Sequence, residues 1–414
     1  MRKQKPVQEI ELSEKHIKLK IILLVVFIAI AIVAFTFGIL GCLSTDAGWH
    51  RIESSSAGSD RSGEFAFYYH IDKGGTKASN ELKSVTAAYS DACLTASRVF
   101  DETTTYDGVS NLATVNKNVN KDVVVDPALY KAFETLSAAN DRSIFLAPIY
   151  SRYYSLFYEP DELTAATLDP YRNEEVAREF AEIAAFASDP EHVRIALGGD
   201  NTVRLVVSDE YAEYADANGI ATFIDLFALK NAFIIDHIAD RLVTVGIDGL
   251  ISSLDGMYTR SFGENGKSYT VGIFDADGEY VYGAGSFTGS GCLASVRFRN
   301  YGLRSDTGYD LFYTFSDGKT VTPFIDPADG LYKSAISDFL AYTRKSSCVS
   351  IAVVALKEYI GSTDIADSAR TLAASGIYSV YCEDRTIVYN DEALDAALVP
   401  FESEEVKYTK KYSA

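Results

Sequence analysis

The sequence predicts an α+β fold carried behind one N-terminal membrane-spanning segment, and three observations predict it. An uncharged apolar run, Ile21 to Leu40, precedes everything else. Beyond it, apolar residues recur at helical spacing in some stretches and crowd into short aromatic or β-branched runs in others. These stretches mix without the regular strand–helix alternation of a doubly wound parallel sheet.

The run IILLVVFIAIAIVAFTFGIL is about long enough to cross a bilayer as a helix. Arg2, Lys3, Lys5, Lys15, Lys18 and Lys20 stand before it, and the first charged residues after it are Asp46 and Arg51. Basic residues stay on the cytoplasmic side. Residues 1–20 are therefore expected inside, 21–43 as the anchor, and the rest outside the cell membrane. Ile39-Leu40-Gly41-Cys42 also fits a lipoprotein cleavage site, so an uncleaved anchor and a lipid-modified Cys42 both stay open. The polar, small residues 44–63 read as a linker.

Glu64–Ile71 (EFAFYYHI) reads as a strand. Leu82, Val85, Tyr89, Cys93, Ala96 and Phe100 then recur at three and four, a helix with one buried face. A loop leads to a short strand, Val123–Val125, and Asp126-Pro127 opens a helix with Leu129, Phe133 and Leu136 inward. Residues 140–170 are aromatic and irregular. Asn173 reads as the N-cap of a helix carrying Val176, Phe180, Ile183 and Ala187, stopped by Pro190. VRIAL and TVRLVV around GGDN form a hairpin. Thr222–Asp225 reads as a strand feeding an amphipathic helix with Ile235, Ile238, Leu242 and Val245, closed by Gly246. Short strands and turns follow to about Phe315. IDPADG is a turn, Tyr332–Thr343 a helix and Cys348–Ala355 a strand. A last helix and the strands IYSVYC and TIVY complete a domain over 64–400, with 401–414 as a polar tail.

The chain holds 38 basic and 58 acidic residues, a net charge of −20. Residues 1–43 carry six basic and three acidic residues, leaving the exported part at −23. That balance argues against nucleic acid or an anionic membrane surface as a partner. A phosphorylated ligand would need backbone amides or a divalent cation to supply positive field. Cys42, Cys93, Cys292, Cys348 and Cys382 are scattered without zinc spacing, so buried thiols and disulfides are equally open.

Several motifs, in order, carry a resemblance. Ser110-Asn111-Leu112-Ala113-Thr114-Val115-Asn116 follows the first long helix. Asp225–Asp236 reads DLFALKNAFIID, and Ile325–Gly330 reads IDPADG. In this order the chain resembles the ApbE family, the FAD:protein FMN transferases, over roughly residues 64–392. The resemblance implies FAD and magnesium (Mg2+) as cofactors. It also implies transfer of FMN from FAD onto a Thr or Ser of a flavoprotein partner, here one outside the membrane.

Laid on the family's S-x-L-x-x-L-N segment, Ser110 and Asn116 are implied to lie near the flavin, although Asn116 alone also fits a turn asparagine. The family's D-L-G-x-I-A-K-G-Y-x-x-D turn keeps both terminal aspartates, Asp225 and Asp236. Its glycine has become Phe227, its lysine Asn231 and its next glycine Ala232, while Lys230 stands one place early. Such glycines let backbone amides approach a phosphate at a helix N-terminus. A phenylalanine there puts bulk where the ligand would lie. The family's paired glycines are replaced at Leu254 and Asp255. Its T-S-G-x-Y turn corresponds to Ser305–Tyr309, which implies Tyr309 in the site. In Pro323–Gly330 the resemblance implies that Asp326 orients the site. Pro323 stands where the family has a histidine, and proline transfers no proton. Finally, Asp367 and Thr371 reproduce the magnesium-binding Asp and Thr, and i and i+4 share one helix face. The same stretch also reads as a later helix, with the metal helix shortened away. Two readings follow: an FMN transferase, or a catalytically inactive flavin-binding or protein-interaction module.

Overall fold

The structure is a computed structural model and describes residues 45–56, 60–263, 267–277, 280–302, 312–333, 336–344, 347–361, 364–403 and 405–413. The apolar run, Cys42 and Tyr309 fall outside the described residues. Among the described residues no helix is long and apolar enough to cross a membrane.

Packing divides the chain into two units. In the first, Met1–Gly48 with Ile71–Ser84, Thr45 and Gly75 form an antiparallel bridge and Thr45 Oγ1 lies 2.8 Å from Ser79 Oγ. A side chain on Gly74 would meet the Thr45 carbonyl oxygen at 2.8 Å, so only glycine permits this approach.

The second unit, Trp49–His70 with Val85–Ala414, holds most of the elements. In chain order the strands begin with β1 (Gly48–Ile52), β2 (Phe65–Ile71), β3 (Asp122–Val124), β4 (Val193–Leu197) and β5 (Thr202–Val207). Next come β6 (Gly249–Ser253), β7 (Tyr258–Phe262), β8 (Tyr269–Asp277), β9 (Tyr280–Gly289) and β10 (Leu293–Arg299). The last are β11 (Tyr313–Thr314), β12 (Thr320–Val321), β13 (Asp338–Thr343), β14 (Tyr378–Glu383), β15 (Thr386–Tyr389), β16 (Leu398–Pro400) and β17 (Thr409–Tyr412). The helices begin with α1 (Thr76–Val99), α2 (Leu112–Asn116), α3 (Pro127–Ala138), α4 (Ala147–Tyr153) and α5 (Glu162–Ala166). They continue with α6 (Glu174–Ser188), α7 (Asp209–Asn218), α8 (Phe227–Thr244), α9 (Cys348–Gly361) and α10 (Ile365–Ala374).

Nine strands form one sheet in the order β1-β2-β6-β7-β10-β13-β14-β15-β17. From β2 to β15 the neighbours pair antiparallel, and β17 joins β15 in parallel. Helices α8 and α9 pack on each other and on β7 and β10. The small sheet β16-β9-β8 covers the other face, where Ile273, Phe287, Leu340, Tyr342 and Ile387 make a shared core. Strand β10 lies between these layers, and all seven of its residues are buried. Its side chains alternate as a strand requires. Phe298 packs on Tyr359 of α9, whereas Arg297 donates to the Gly272 carbonyl on β8 at 2.6 Å.

The α+β expectation holds, and several elements fall where the spacing placed them. Val85, Tyr89, Cys93 and Ala96 are the buried stripe of α1. Asn173 caps α6 by accepting from Glu175 and Val176 N–H groups. The β4–β5 hairpin turns on Asp200 and Asn201, both in the left-handed region.

Five segments differ. Tyr332–Thr343, expected as a helix, contains strand β13, and Cys348–Ala355, expected as a strand, lies in helix α9. Both are covered on more than one side, so the polar positions that would reveal their period are missing. Thr222–Asp225 joins no ladder. Residues 401–414, expected as a polar tail, contribute strand β17, and Tyr408 is buried. Within the segment expected as a linker, Gly48–Ile52 forms β1. Helix α7 was not foreseen, although Ser208 at its N-cap and Gly219 in the left-handed region after it are ordinary signals. The described cysteines, Cys93, Cys292, Cys348 and Cys382, are unbridged.

Candidate functional site

The site grows from a backbone problem. Residues 222–226 join no strand ladder, so their buried amide groups need other acceptors. Asn116, the last residue of α2, supplies one from its side chain. Its Oδ1 accepts from Phe223 N and Ile224 N, each at 3.1 Å, and its Nδ2 donates to the Ile224 carbonyl at 2.9 Å. Asn111 fixes α2 in turn through a capping box with Thr114. On the other side Asp225 N donates to the Ile144 carbonyl at 2.9 Å.

The chain then turns into α8. Asp225 Oδ1 accepts from Phe227 N at 2.9 Å, and Phe227 takes φ of 26° in the left-handed region. A side chain there is strained by roughly 1–2 kcal/mol. Stacking holds it: the Phe227 ring lies 4.2 Å from that of Tyr150, nearly parallel, with the Tyr154 ring edge-on at 5.3 Å. The position that the motif gives to glycine keeps a glycine-like backbone and carries an aromatic ring.

These residues wall a cavity of about 460 Å³. Tyr150, Tyr154, Tyr158 and Phe227 form its aromatic side. Its polar side begins with Lys230, a buried lysine whose Nζ lies 2.7 Å from Glu102 Oε2 and 2.9 Å from Asp225 Oδ1. Asn231 also lines the cavity, and its Oδ1 is buried without a hydrogen-bond partner. Arg61 and Glu64 reach the rim, paired at 2.6 Å. Asp255 closes the floor, accepting from Ser253 Oγ and, at 2.8 Å, from Met257 N. Burial raises its carboxyl above the usual range. Burial likewise pushes the Tyr150 hydroxyl well above its ordinary value, so it remains neutral.

No protein-family model and no curated protein matches the sequence. Among solved structures the chain is similar to the ApbE protein of Thermotoga maritima. The two are 12% identical, with a TM-score of 0.54 over 86% of this chain and 97% of that one. The fold is ApbE-like. The flavin transferase ApbE of Vibrio cholerae is 13% identical over 86% of this chain and 98% of that one, with a TM-score of 0.46. A variant of it gives 12% and 0.47 over the same shares.

Within this ApbE-like fold the expected site residues separate. Asp225 and Lys230 line the cavity, and Asn116 stands behind it as the residue that shapes the loop. Ser110 meets the rest of the fold through its carbonyl, which accepts from Asp126 N at 3.1 Å. Asp236 faces away from the cavity; its oxygens accept from Cys348 N and Val349 N at the start of α9 and pair with Arg260. Asp326 closes its own turn by accepting from Ala328 N and pairs with Lys333 at 2.7 Å. It borders a second hollow, of about 310 Å³, with Arg142 and Leu356. Asp367 and Thr371 are exposed on α10, the Asp367 carboxylate paired with Arg370. Helix α9 comes between the Asp326 turn and α10, so this pair sits on the later of two helices. Tyr309 is outside the described residues.

The residues that sequence reasoning missed are Glu102, Tyr150, Tyr154 and Asp255 in its role as floor. The tyrosines had a signal, the density of aromatics in FLAPIYSRYYSLFYEP. Glu102 had none, because its partner lies 128 residues away.

The cofactors implied by the fold can be tested against these residues. A flavin ring matches the aromatic wall in kind. The diphosphate of FAD does not match: the lysine is already held by two carboxylates, and the first amide of α8 is engaged by Asp225. At Asp367 and Thr371 the carboxylate is paired with Arg370 on an exposed helix face. Among the described residues no group of three or more His, Cys, Asp or Glu is arranged to hold a metal.

Proposed function

We propose that this chain is an ApbE-like flavin-binding protein that holds the ligand without transferring it. The observation that carries this reading is Phe227, seated on Tyr150 at the mouth of α8 with a left-handed backbone. A flat ring entering the cavity finds aromatic faces worth about 0.5–1.5 kcal/mol per contact beyond area burial. The groups that transfer would require are altered: Pro323 stands in place of a proton-transferring histidine, and Asp367 is paired with Arg370. Held by Ile21–Leu40, such a domain would present its flavin outside the membrane.

A second reading keeps the transferase. In it Asp367 and Thr371, on one exposed face of α10, take magnesium once Arg370 swings away, Asp326 orients the site, and a flavoprotein Thr or Ser accepts FMN. The shared helix face is the observation that favours it.

One titration separates the two. The full-length chain is titrated with FAD, FMN and riboflavin, with and without magnesium, while flavin fluorescence and released AMP are followed. Quenching without AMP is the expected outcome. Magnesium-dependent AMP release from FAD would establish the transferase instead, and failure of every flavin to bind would remove both readings.

A further inference from the structure

We propose that the cavity selects a planar, uncharged ligand that carries no phosphate, so that among flavins riboflavin binds in preference to FMN and FAD. This rests on the flavin-binding reading above and deepens it.

Charge comes first. The described lining contains two cations, Arg61 and Lys230, and four carboxylates, Glu64, Glu102, Asp225 and Asp255. Both cations already face carboxylates. Arg61 is engaged by Glu64 at 2.6 Å, and Lys230 by both Glu102 and Asp225. The Lys230 ammonium is almost fully buried, with a side-chain exposure of 7%, so turning it toward a phosphate would strand two carboxylates in a poorly solvated wall. A phosphate beside an excess of carboxylates loses affinity steeply where water is scarce.

The backbone at the start of α8 is partly spoken for, with Leu229 N donating to the Leu226 carbonyl at 2.8 Å. A helix N-terminus attracts phosphate when its first amides point at the ligand. Here the first amide of α8, Phe227 N, is satisfied internally by Asp225 Oδ1. The Phe227 side chain occupies the approach that a glycine would leave open.

The remaining features favour a neutral ring. Asn231 stands in the wall where the resembling motif has a lysine. A neutral amide there supplies no counter-charge to a phosphate. The volume, about 460 Å³, lies in the lower half of the usual range for small-molecule sites, ~300–1,000 Å³. It is of a size to enclose a three-ring system.

The test compares dissociation constants of riboflavin, FMN and FAD for the full-length chain by fluorescence quenching, in EDTA and again in millimolar magnesium. Riboflavin is expected to bind at least about tenfold more tightly than either phosphorylated flavin in both buffers. FMN or FAD binding as tightly as riboflavin, in either buffer, overturns the selection while leaving the flavin-binding reading intact. No flavin binding at all overturns that reading itself. Two variants examine the cause. Asn231→Lys adds a cation at the wall, and Glu102→Gln releases Lys230 from one carboxylate. Each is expected to narrow the riboflavin-to-FAD ratio by roughly tenfold. A folded variant of either kind, judged by a cooperative thermal transition, whose ratio does not move would refute the electrostatic basis. Two independent substitutions keep the test decisive if one of them fails to fold.

Discussion

Phe227 balances two opposed terms. Glycine at this position would relieve the left-handed strain, roughly 1–2 kcal/mol, but would forfeit the stack on Tyr150, the edge contact with Tyr154 and part of a buried ring. Burial and stacking together outweigh the strain. Phe227→Gly is therefore expected to lower stability by about 1 kcal/mol in denaturant titration. Asn116 carries a larger share, because Ala in its place leaves Phe223 N and Ile224 N buried without acceptors. A loss of about 3 kcal/mol is expected for Asn116→Ala by the same measurement. Asp255 gives a pH signature. Burial raises its carboxyl above the ordinary value of 3.8, so the folded state keeps the proton longer than the unfolded chain. Stability contributed by the protonated form is present below pH 3.8 and is lost as pH rises through the higher folded value. Asp255→Asn keeps an oxygen for Ser253 and Met257, and it should raise the melting temperature at neutral pH while flattening that decline. A melting temperature that drops across the whole pH range would contradict it. At this scale the sequence was legible where a residue serves the backbone close by, as with Asn173 at its cap. Lys230 was legible as a charge near the site, but its partner Glu102 comes from a distant loop.

Among the elements, α8 and α9 are tied end to side by Asp236. Its carboxylate accepts from two amides at the start of α9 and holds Arg260 on β7, so one side chain caps a helix to which it does not belong. Asp236→Ala removes the cap and half of the Arg260 pairing, since Asp240 still contacts the guanidinium. A loss of about 2–3 kcal/mol is expected, measured by urea denaturation. The same pair of elements shows where sequence reading failed. CVSIAVVAL is rich in β-branched residues and apolar but for Ser350, which suits a buried strand; packed between α8 and β10, it is a helix apolar nearly all round. DFLAYT fails in the opposite sense, with five of its six residues buried, so no alternation marks it as strand β13. Helices with one wet face, such as α1 and α6, were legible because solvent writes their period into the sequence.

For the molecule as a whole, the C-terminal segment is part of the large sheet. Removing residues 405–414 would strip β17 from β15 and take away the buried Tyr408, whose hydroxyl donates to Asp275 at 2.9 Å. Truncation is expected to cost about 3 kcal/mol and to leave β15 as an open edge prone to pairing between molecules. A sedimentation comparison with the intact chain at equal concentration would detect that association, and a truncated chain that stays both monomeric and equally stable would refute it. The α+β class was legible because strand and helix periods alternate irregularly along the chain. The layering was not, since nothing local says that a second sheet will lie across the first. That layering has a consequence in time. With helices on one face and a sheet on the other, β10 has no route to solvent short of separating the layers. Its amide protons should be the last to trade for deuterium, and their exchange rate would serve as a clock for opening of the entire core.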